Sequence, residues 1–265
     1  PNGWSGPRFK TVERSVLNPL SDAGKVAAKM TELGFADRVP KTYVSVQDAL
    51  NEQPKADDLW FVRSQFRGAN DKTLCLPTPI MAAATVPSGH LLQKAVDELA
   101  LIDQHKFTSR FYMVAVGGHL MCYEESVVFI HGAPYAPNDA NHASQVDNRS
   151  YRDAGSHIKL VPGSQTPHAA PLAKAAKALT ADMTDLLDEV RQATVAGTSD
   201  EKAFAILALD TLLTKSGELR LLRIHTFPNF ITTAQIDADV HVPLFEDVLR
   251  VMAGISSRKL ANITD

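Results

Sequence analysis

Cysteine is scarce. The 265 residues hold two, Cys75 and Cys122, which excludes a disulfide framework and any four-cysteine zinc site. Both stand in apolar stretches and read as buried free thiols, a state that fits a reducing compartment. An excess of charge is missing too. Twenty-seven basic and 30 acidic side chains leave a formal charge of −3, with no compact run of Lys or Arg, so the charge pattern points to neither nucleic acid nor an acidic membrane surface. No apolar run reaches the roughly 18 residues that span a bilayer; the strongest, "FYMVAVGGHLM", is cut by paired glycines. The Gly-x-Gly-x-x-Gly, Walker A, His-Glu-x-x-His and Gly-x-Ser-x-Gly motifs are all lacking, as are internal repeats. His131, His142, His157 and His168 show no metal-ligand spacing.

What remains is the composition of a soluble globular protein, 45% apolar and 22% charged. The chain begins at Pro1, as a removed initiator, a cropped chain or a cleaved targeting segment would each leave it. The expected location is intracellular: cytoplasmic, or an organelle if a targeting segment was removed.

The pattern of elements is α+β with mostly antiparallel strands. Residues 1–20 read as an irregular arm rich in Pro and Gly. "SDAGKVAAKMTELG" reads as a helix capped by Ser21, with Val26, Met30 and Leu33 on one stripe and Gly34 as its stop. Ser45 and Asp48 are spaced like a capping box for a second helix. "LWFVRSQ" is a buried strand. "HLLQKAVDELALID" is open between a helix and a strand followed by a loop. A hairpin closes at Gly117-Gly118, and a further apolar run covers 126–130. Residues 136–170 read as the longest loop, residues 171–197 as one long amphipathic helix, and "VPLFEDVLRVMAG" as a closing helix.

Residues 208–230, "ALDTLLTKSGELRLLRIHTFPNF", form a second hairpin. It sets Asp210 on one apolar strand and Arg223 and His225 on the other. Together with "WFVRSQFRGANDKT", "QKAV", "KFTSRFY", "CYEESVVFIHGAPYA" and "NHASQ", in that order, this series resembles the tubulin–tyrosine ligase family of the ATP-grasp superfamily. The family's motifs run W-I-x-K-P, Q-K-Y-I, K-F-D-x-R-x-Y, Y-R-E-G, H-L-T-N, G-x-D and L-L-E-V-N, and the likeness covers residues 25–255. It implies an ATP-grasp fold: two α+β lobes, with mostly antiparallel sheets flanking a nucleotide cleft. The division expected is an arm over 1–20, an N-terminal lobe over 21–92 and a C-terminal lobe over 93–265.

Carried over position by position, the resemblance puts Arg63 at the phosphate-binding lysine. Arg67 and Lys72 become loop cations. Gln93, Lys94 and Val96 fall in the adenine-binding stretch. Lys106 and Arg110 are on the phosphate side, with Thr108 where the family has an acid. Glu124 replaces an arginine, Ser144 and Gln145 stand at T-N, and Asp210 is the metal-side acid. Arg223 and His225 occupy the usual metal-ligand positions. A guanidinium has donors only and repels Mg²⁺; Arg223 is therefore expected to pair with Asp210 instead. ATP and Mg²⁺ are implied by the family, but the changes at Arg63, Thr108, Glu124 and Arg223 speak against Mg²⁺ and against catalysis. The expectation is a degenerate ligase acting as a protein-binding or structural component of an assembly, tubulin being one partner the family suggests. The alternatives are an active ligase that adds an amino acid to a carboxylate, and a nucleotide-binding module without turnover.

Overall fold

The computed structural model describes residues 8–66, 73–146, 157–195, 201–230 and 233–263. Arg67 and Lys72 lie outside them. Among the described residues the chain is α+β, built on two sheets.

Strands run in chain order β1 (Arg8–Thr11), β2 (Thr42–Tyr43), β3 (Leu59–Ser64), β4 (Leu74–Pro77), β5 (His90–Lys94), β6 (His105–Val116), β7 (His119–Tyr123), β8 (Val127–Pro134), β9 (Lys159–Pro162), β10 (Glu201–Leu213), β11 (Leu219–His225) and β12 (Leu260–Asn262). The helices are α1 (Arg14–Ser21), α2 (Ala23–Glu32), α3 (Val46–Asn51), α4 (Thr78–Ala82), α5 (His142–Gln145), α6 (Ala169–Asp182), α7 (Asp188–Val195), α8 (Ala234–Ile236) and α9 (Val242–Met252). A π-helical turn, Asp237–His241, joins the last two.

The small sheet is antiparallel, in the order β2-β5-β3-β4. Its outer face buries Trp60, Val62 and Leu92 beneath α3 and α4, with Ala49 and Met81. Alternation along the strands then turns Phe61, Arg63, Leu91 and Gln93 the other way, toward the large sheet.

The large sheet hangs on two long antiparallel strands, β6 and β10, paired from Phe204↔Val116 to Thr211↔Ser109. Each takes two further partners, one per half. β6 pairs β8 near its start and β7 near its end. β10 pairs β1 near its start, in parallel, and β11 near its end. One face of β6 and β10 sends Phe107, Phe111, Met113, Leu207 and Leu209 into a core shared with α1, α2, α6 and α7. The opposite face buries Tyr112, Val114 and Ala208 against α8 and α9.

Several expectations are corrected here. The arm over 1–20 is, from Arg8, strand β1 and helix α1; β1 covers an edge of β10, and Val12, Leu17 and Leu20 enter the larger core. Helix α2 is capped by Asp22, whose Oδ1 accepts from the Gly24 and Lys25 amides, while Ser21 meets Thr226 instead. Its Val26 and Met30 pack in the core of the large sheet, not with the small sheet that follows them in the chain. The single helix over 171–197 is α6 and α7. At the break, the Thr184 hydroxyl donates to the Ala181 carbonyl, so a side chain takes up a backbone acceptor that a continuous helix would use, and the Asp182 carboxylate pairs with Arg38. The loop over 136–170 contains α5 and β9. "HLLQKAVDELALID" resolves as strand β5 and a loop.

Local signals hold elsewhere. Gly117 and Gly118 turn the β6–β7 hairpin at φ +58° and +84°, which side chains other than glycine reach only under strain. Ser45 accepts from the Asp48 amide and its hydroxyl donates to the Asp48 carboxylate.

One close approach yields a direct test. A methyl group added at Gly163 would stand 2.1 Å from Ser126 Oγ, while the next atoms, Glu125 Oε1 and Ser126 Cβ, lie at 3.3 and 3.4 Å. Gly163→Ala is expected to destabilise the fold by about 1–3 kcal/mol. Adding Ser126→Ala removes the clash, so urea unfolding of the double variant should recover at least half of the loss. No recovery would mean that the hydroxyl is not the obstacle.

Candidate functional site

Alternation on the large sheet collects the candidates. Lys106, Thr108 and Arg110 on β6 share the face of Tyr112. Asp210 on β10 is the cross-strand neighbour of both Arg110 and Arg223. The hydrophobic covering of α9 reaches Tyr112 and Val114. Beyond it, the face meets the small sheet.

Asp210 is the hub. Arg110 grips it with both prongs, Nε to Oδ1 at 2.7 Å and Nη2 to Oδ2 at 2.9 Å. His225 Nε2 contacts Oδ2 at 2.6 Å and lies 3.2 Å from the same guanidinium. The ring of Phe129 sits under Arg110, 5.3 Å from its centre. Burial alone would push the Asp210 carboxyl up; the guanidinium and the imidazole outweigh it and hold the group well below the usual carboxylate range. Arg223 is not the partner expected for this acid. It reaches across to the small sheet, where Nη2 donates to the Ser64 carbonyl at 3.3 Å.

Arg63 makes the reverse crossing. It is buried, and its two terminal nitrogens donate to Gln93 Oε1 at 2.9 Å and to the Leu222 carbonyl at 3.0 Å. The target follows from the register. Asp210 pairs with Arg223 and Thr211 with Leu221, so Leu222 is the extra residue of a β-bulge. A bulge takes a residue out of the regular ladder, and here the guanidinium supplies its carbonyl with a donor. Gln93 completes the link by donating to Thr42 at 3.3 Å. Two arginines, one from each sheet, thus bond to backbone carbonyls of the other.

A second group lies at the start of β6. Lys106 is buried between the rings of Phe61 and Tyr135, 5.2 and 5.7 Å from their centres, with Gln145 Oε1 at 3.5 Å. Burial pushes its ammonium down to about 8, against a small opposing effect of Cys75. His131, from β8, is buried beside Thr108 at 3.4 Å. Its ring is pushed down to about 3, first by burial and then by Lys106.

The other candidates stand apart. Lys94 pairs with Trp60 across the strands, on the far face of the small sheet, and its ammonium meets Asp58 at 2.7 Å. Val96 is half-buried in the loop after β5. Glu124 is exposed. Ser144 is buried in α5 and donates to the Asn141 carbonyl. The aromatic walls around Lys106 and the neutral His131 escaped the sequence reading. The spacing K-x-T-x-R in β6 was the available signal, since it places three polar side chains on one strand face.

The residues at the implied metal position do not fit Mg²⁺. Its one carboxylate, Asp210, has both oxygens engaged by Arg110 and His225, and Arg223 stands at the neighbouring register position. Among the described residues no group of three or more His, Cys, Asp or Glu is placed to hold a metal ion. No helix among them is long and apolar enough to cross a membrane. No family model matches the chain, and no curated protein matches it.

Proposed function

We propose that this chain is a tubulin–tyrosine-ligase-like domain of ATP-grasp descent whose nucleotide cleft has become a fixed contact between two lobes, and that it serves as a protein-binding or structural component of an assembly. The observation that carries the reading is the reciprocal crossing of Arg63 to the Leu222 carbonyl and Arg223 to the Ser64 carbonyl. These are two positions where a working ligase of that family would hold phosphate and metal. The layout supports the descent: a four-stranded antiparallel sheet carrying Arg63 faces a larger sheet whose β10–β11 hairpin carries Asp210. The Asp210 triad supports the loss of metal, because its carboxylate is neutralised from within the fold. The outer stripe of α9, with Val242, Phe245 and Leu249 exposed, supports a role in protein contact. The partner class is a protein, and tubulin enters only through the resemblance.

The test is calorimetric titration of ATP, with and without Mg²⁺, into the wild type and into Arg223→Glu/His225→Asn. The wild type is expected to give no saturable heat. The double variant, with a carboxylate and an amide restored, is expected to gain Mg²⁺-dependent binding. Tight Mg-ATP binding by the wild type would overturn the reading and favour the active ligase.

A further inference from the structure

We infer that the outer face of α9 is a self-association surface. It takes the α9 helix of a second copy of this chain, antiparallel, about a two-fold axis at the level of residues 247 and 248. The inference rests on the reading of that face as a protein contact and names the partner.

The inner face of α9 is fully used: Leu244, Val248 and Met252 pack against the large sheet. The outer face is not. Val242, Phe245 and Leu249 are 52%, 38% and 64% exposed, and Ala253, the C-cap residue, is exposed as well. With 3.6 residues per turn, Val242, Leu249 and Ala253 fall within about 40° of one another, and Phe245 lies about 40° to one side. Phe245 is braced from within the fold, where Phe230 meets its ring edge to face with centres 4.8 Å apart.

The charges on the other flank choose the partner. Glu246 and Arg250 are four residues apart, a spacing at which an acid and a base on one helix ordinarily pair. Here they do not. Arg250 Nε donates to the Ser256 carbonyl at 3.0 Å. Glu246 makes no hydrogen bond or ion pair among the described residues, and the terminal nitrogens of Arg250 make no hydrogen bond among them. Each copy thus offers one carboxylate and one guanidinium beside its apolar stripe.

The spacing makes this face its own complement. In an antiparallel pair about a two-fold axis, a residue meets the one equally far beyond the axis. Glu246 and Arg250 centre on position 248, Phe245 and Leu249 on 247, and Val242 and Ala253 midway between. At the helical rise per residue these centres agree within about 1.5 Å. One axis therefore sets valine against alanine, phenylalanine beside leucine, and each carboxylate beside the other copy's guanidinium. Such an axis keeps both copies of a flank on the same side, so the acid and base meet. A parallel pairing would put Glu246 against its own copy. Self-complementarity of this kind is what a two-fold dimer requires. α9 has 11 residues and is about 16 Å long. That offers less than the roughly 800 Å² per partner of a stable interface, so the dimer forms only at high concentration.

The experiment is sedimentation equilibrium of the full chain from about 5 to 500 µM, the range in which small interfaces dissociate. The wild type is expected to pass from monomer to dimer. Leu249→Asp should raise the dissociation constant at least about tenfold. Glu246→Arg should raise it about tenfold, because two contacts per dimer become repulsive. Neither should lower the Tm in dilute solution, since both side chains are exposed. Glu246→Arg/Arg250→Glu should return to within about threefold of the wild type. If that variant does not fold, salt decides instead: NaCl should loosen the wild-type dimer, and Glu246→Gln should remove most of that dependence. A wild type that stays monomeric throughout would overturn the inference and leave the face to a different protein. A dimer that Leu249→Asp does not weaken would place the contact elsewhere, and one indifferent to Glu246→Arg would exclude the antiparallel register; either result also sinks it. The ATP titration reads the cleft and this measurement reads α9, so each can fail while the other stands.

Discussion

Asp210→Ala is expected to lower the unfolding free energy by about 3 kcal/mol, the scale for removing one member of a buried ion pair. In a chain of this length that is a fall in Tm of roughly 6–12 °C. The alanine leaves the Arg110 guanidinium, with 14% of its side chain exposed, over the Phe129 ring and 3.2 Å from His225, with no anion between them. Asp210→Asn separates charge from shape, since an amide oxygen at the Oδ2 position can keep two of the three contacts. The pH dependence has a definite sign. The folded carboxyl is held well below its usual range, so the unfolded chain binds the proton more readily. Its contribution is complete above the ordinary Asp pKa near 3.9 and disappears as pH falls from there through the folded value. The gap between wild type and Asp210→Asn should therefore be widest near pH 7 and should shrink below about pH 4. Urea unfolding at pH 7, 5 and 3 measures this. A gap under about 1 kcal/mol at pH 7, or one that does not narrow in acid, would show that the triad is an exposed and screened contact.

The partner of Asp210 shows what the sequence could reveal. The β10–β11 hairpin is local, and its apolar strands around Lys215-Ser216-Gly217 identify it and put Arg223 opposite Asp210. The pairing of β6 with β10 joins residues a hundred positions apart in sequence, such as Arg110 and Asp210. Nothing in the hairpin announces that a second arginine arrives from the other side and takes the carboxylate. The same holds for the bulge at Leu222. Residues 219–225 read as a plain strand, yet the offset in pairing creates the carbonyl that Arg63 fills. Elements read correctly, such as β3, the Gly117-Gly118 turn and the Ser45 cap, are those whose signal lies within a few residues. The arm was misread because β1, mostly exposed, has no apolar alternation; it is a strand because β10 offers it an edge. Lys94 was placed with the cleft by motif. The alternation of β5 puts it on the opposite face from Gln93, its immediate neighbour. Counting by two from Trp60 would have shown this, once the pairing of β3 with β5 was known.

Arg63→Met is expected to cost about 2–4 kcal/mol, the sum of one buried and one part-buried acceptor left without their donor. Methionine fills much of the volume, so the loss reflects hydrogen bonding more than a cavity. Lysine should not restore it, because one ammonium cannot reproduce the diverging bonds of a planar guanidinium to Gln93 and the Leu222 carbonyl. The effect should also be local. Hydrogen exchange should speed up in β11 around Leu222 and in β3, while the β6–β10 pairing stays protected, since cores on both of its faces remain intact. Arg223 provides the sharper test. Its bond to Ser64 and that of Arg63 to Leu222 join the same two strands in opposite directions, so breaking one loosens the geometry that the other needs. The double variant Arg63→Met/Arg223→Met should therefore be less destabilised than the sum of the singles, by more than the roughly 0.5 kcal/mol that separates independent sites from coupled ones. Additive losses would mean two unrelated contacts. A clear coupling would mean that β3 and β11, and the two sheets they belong to, come apart in one cooperative step.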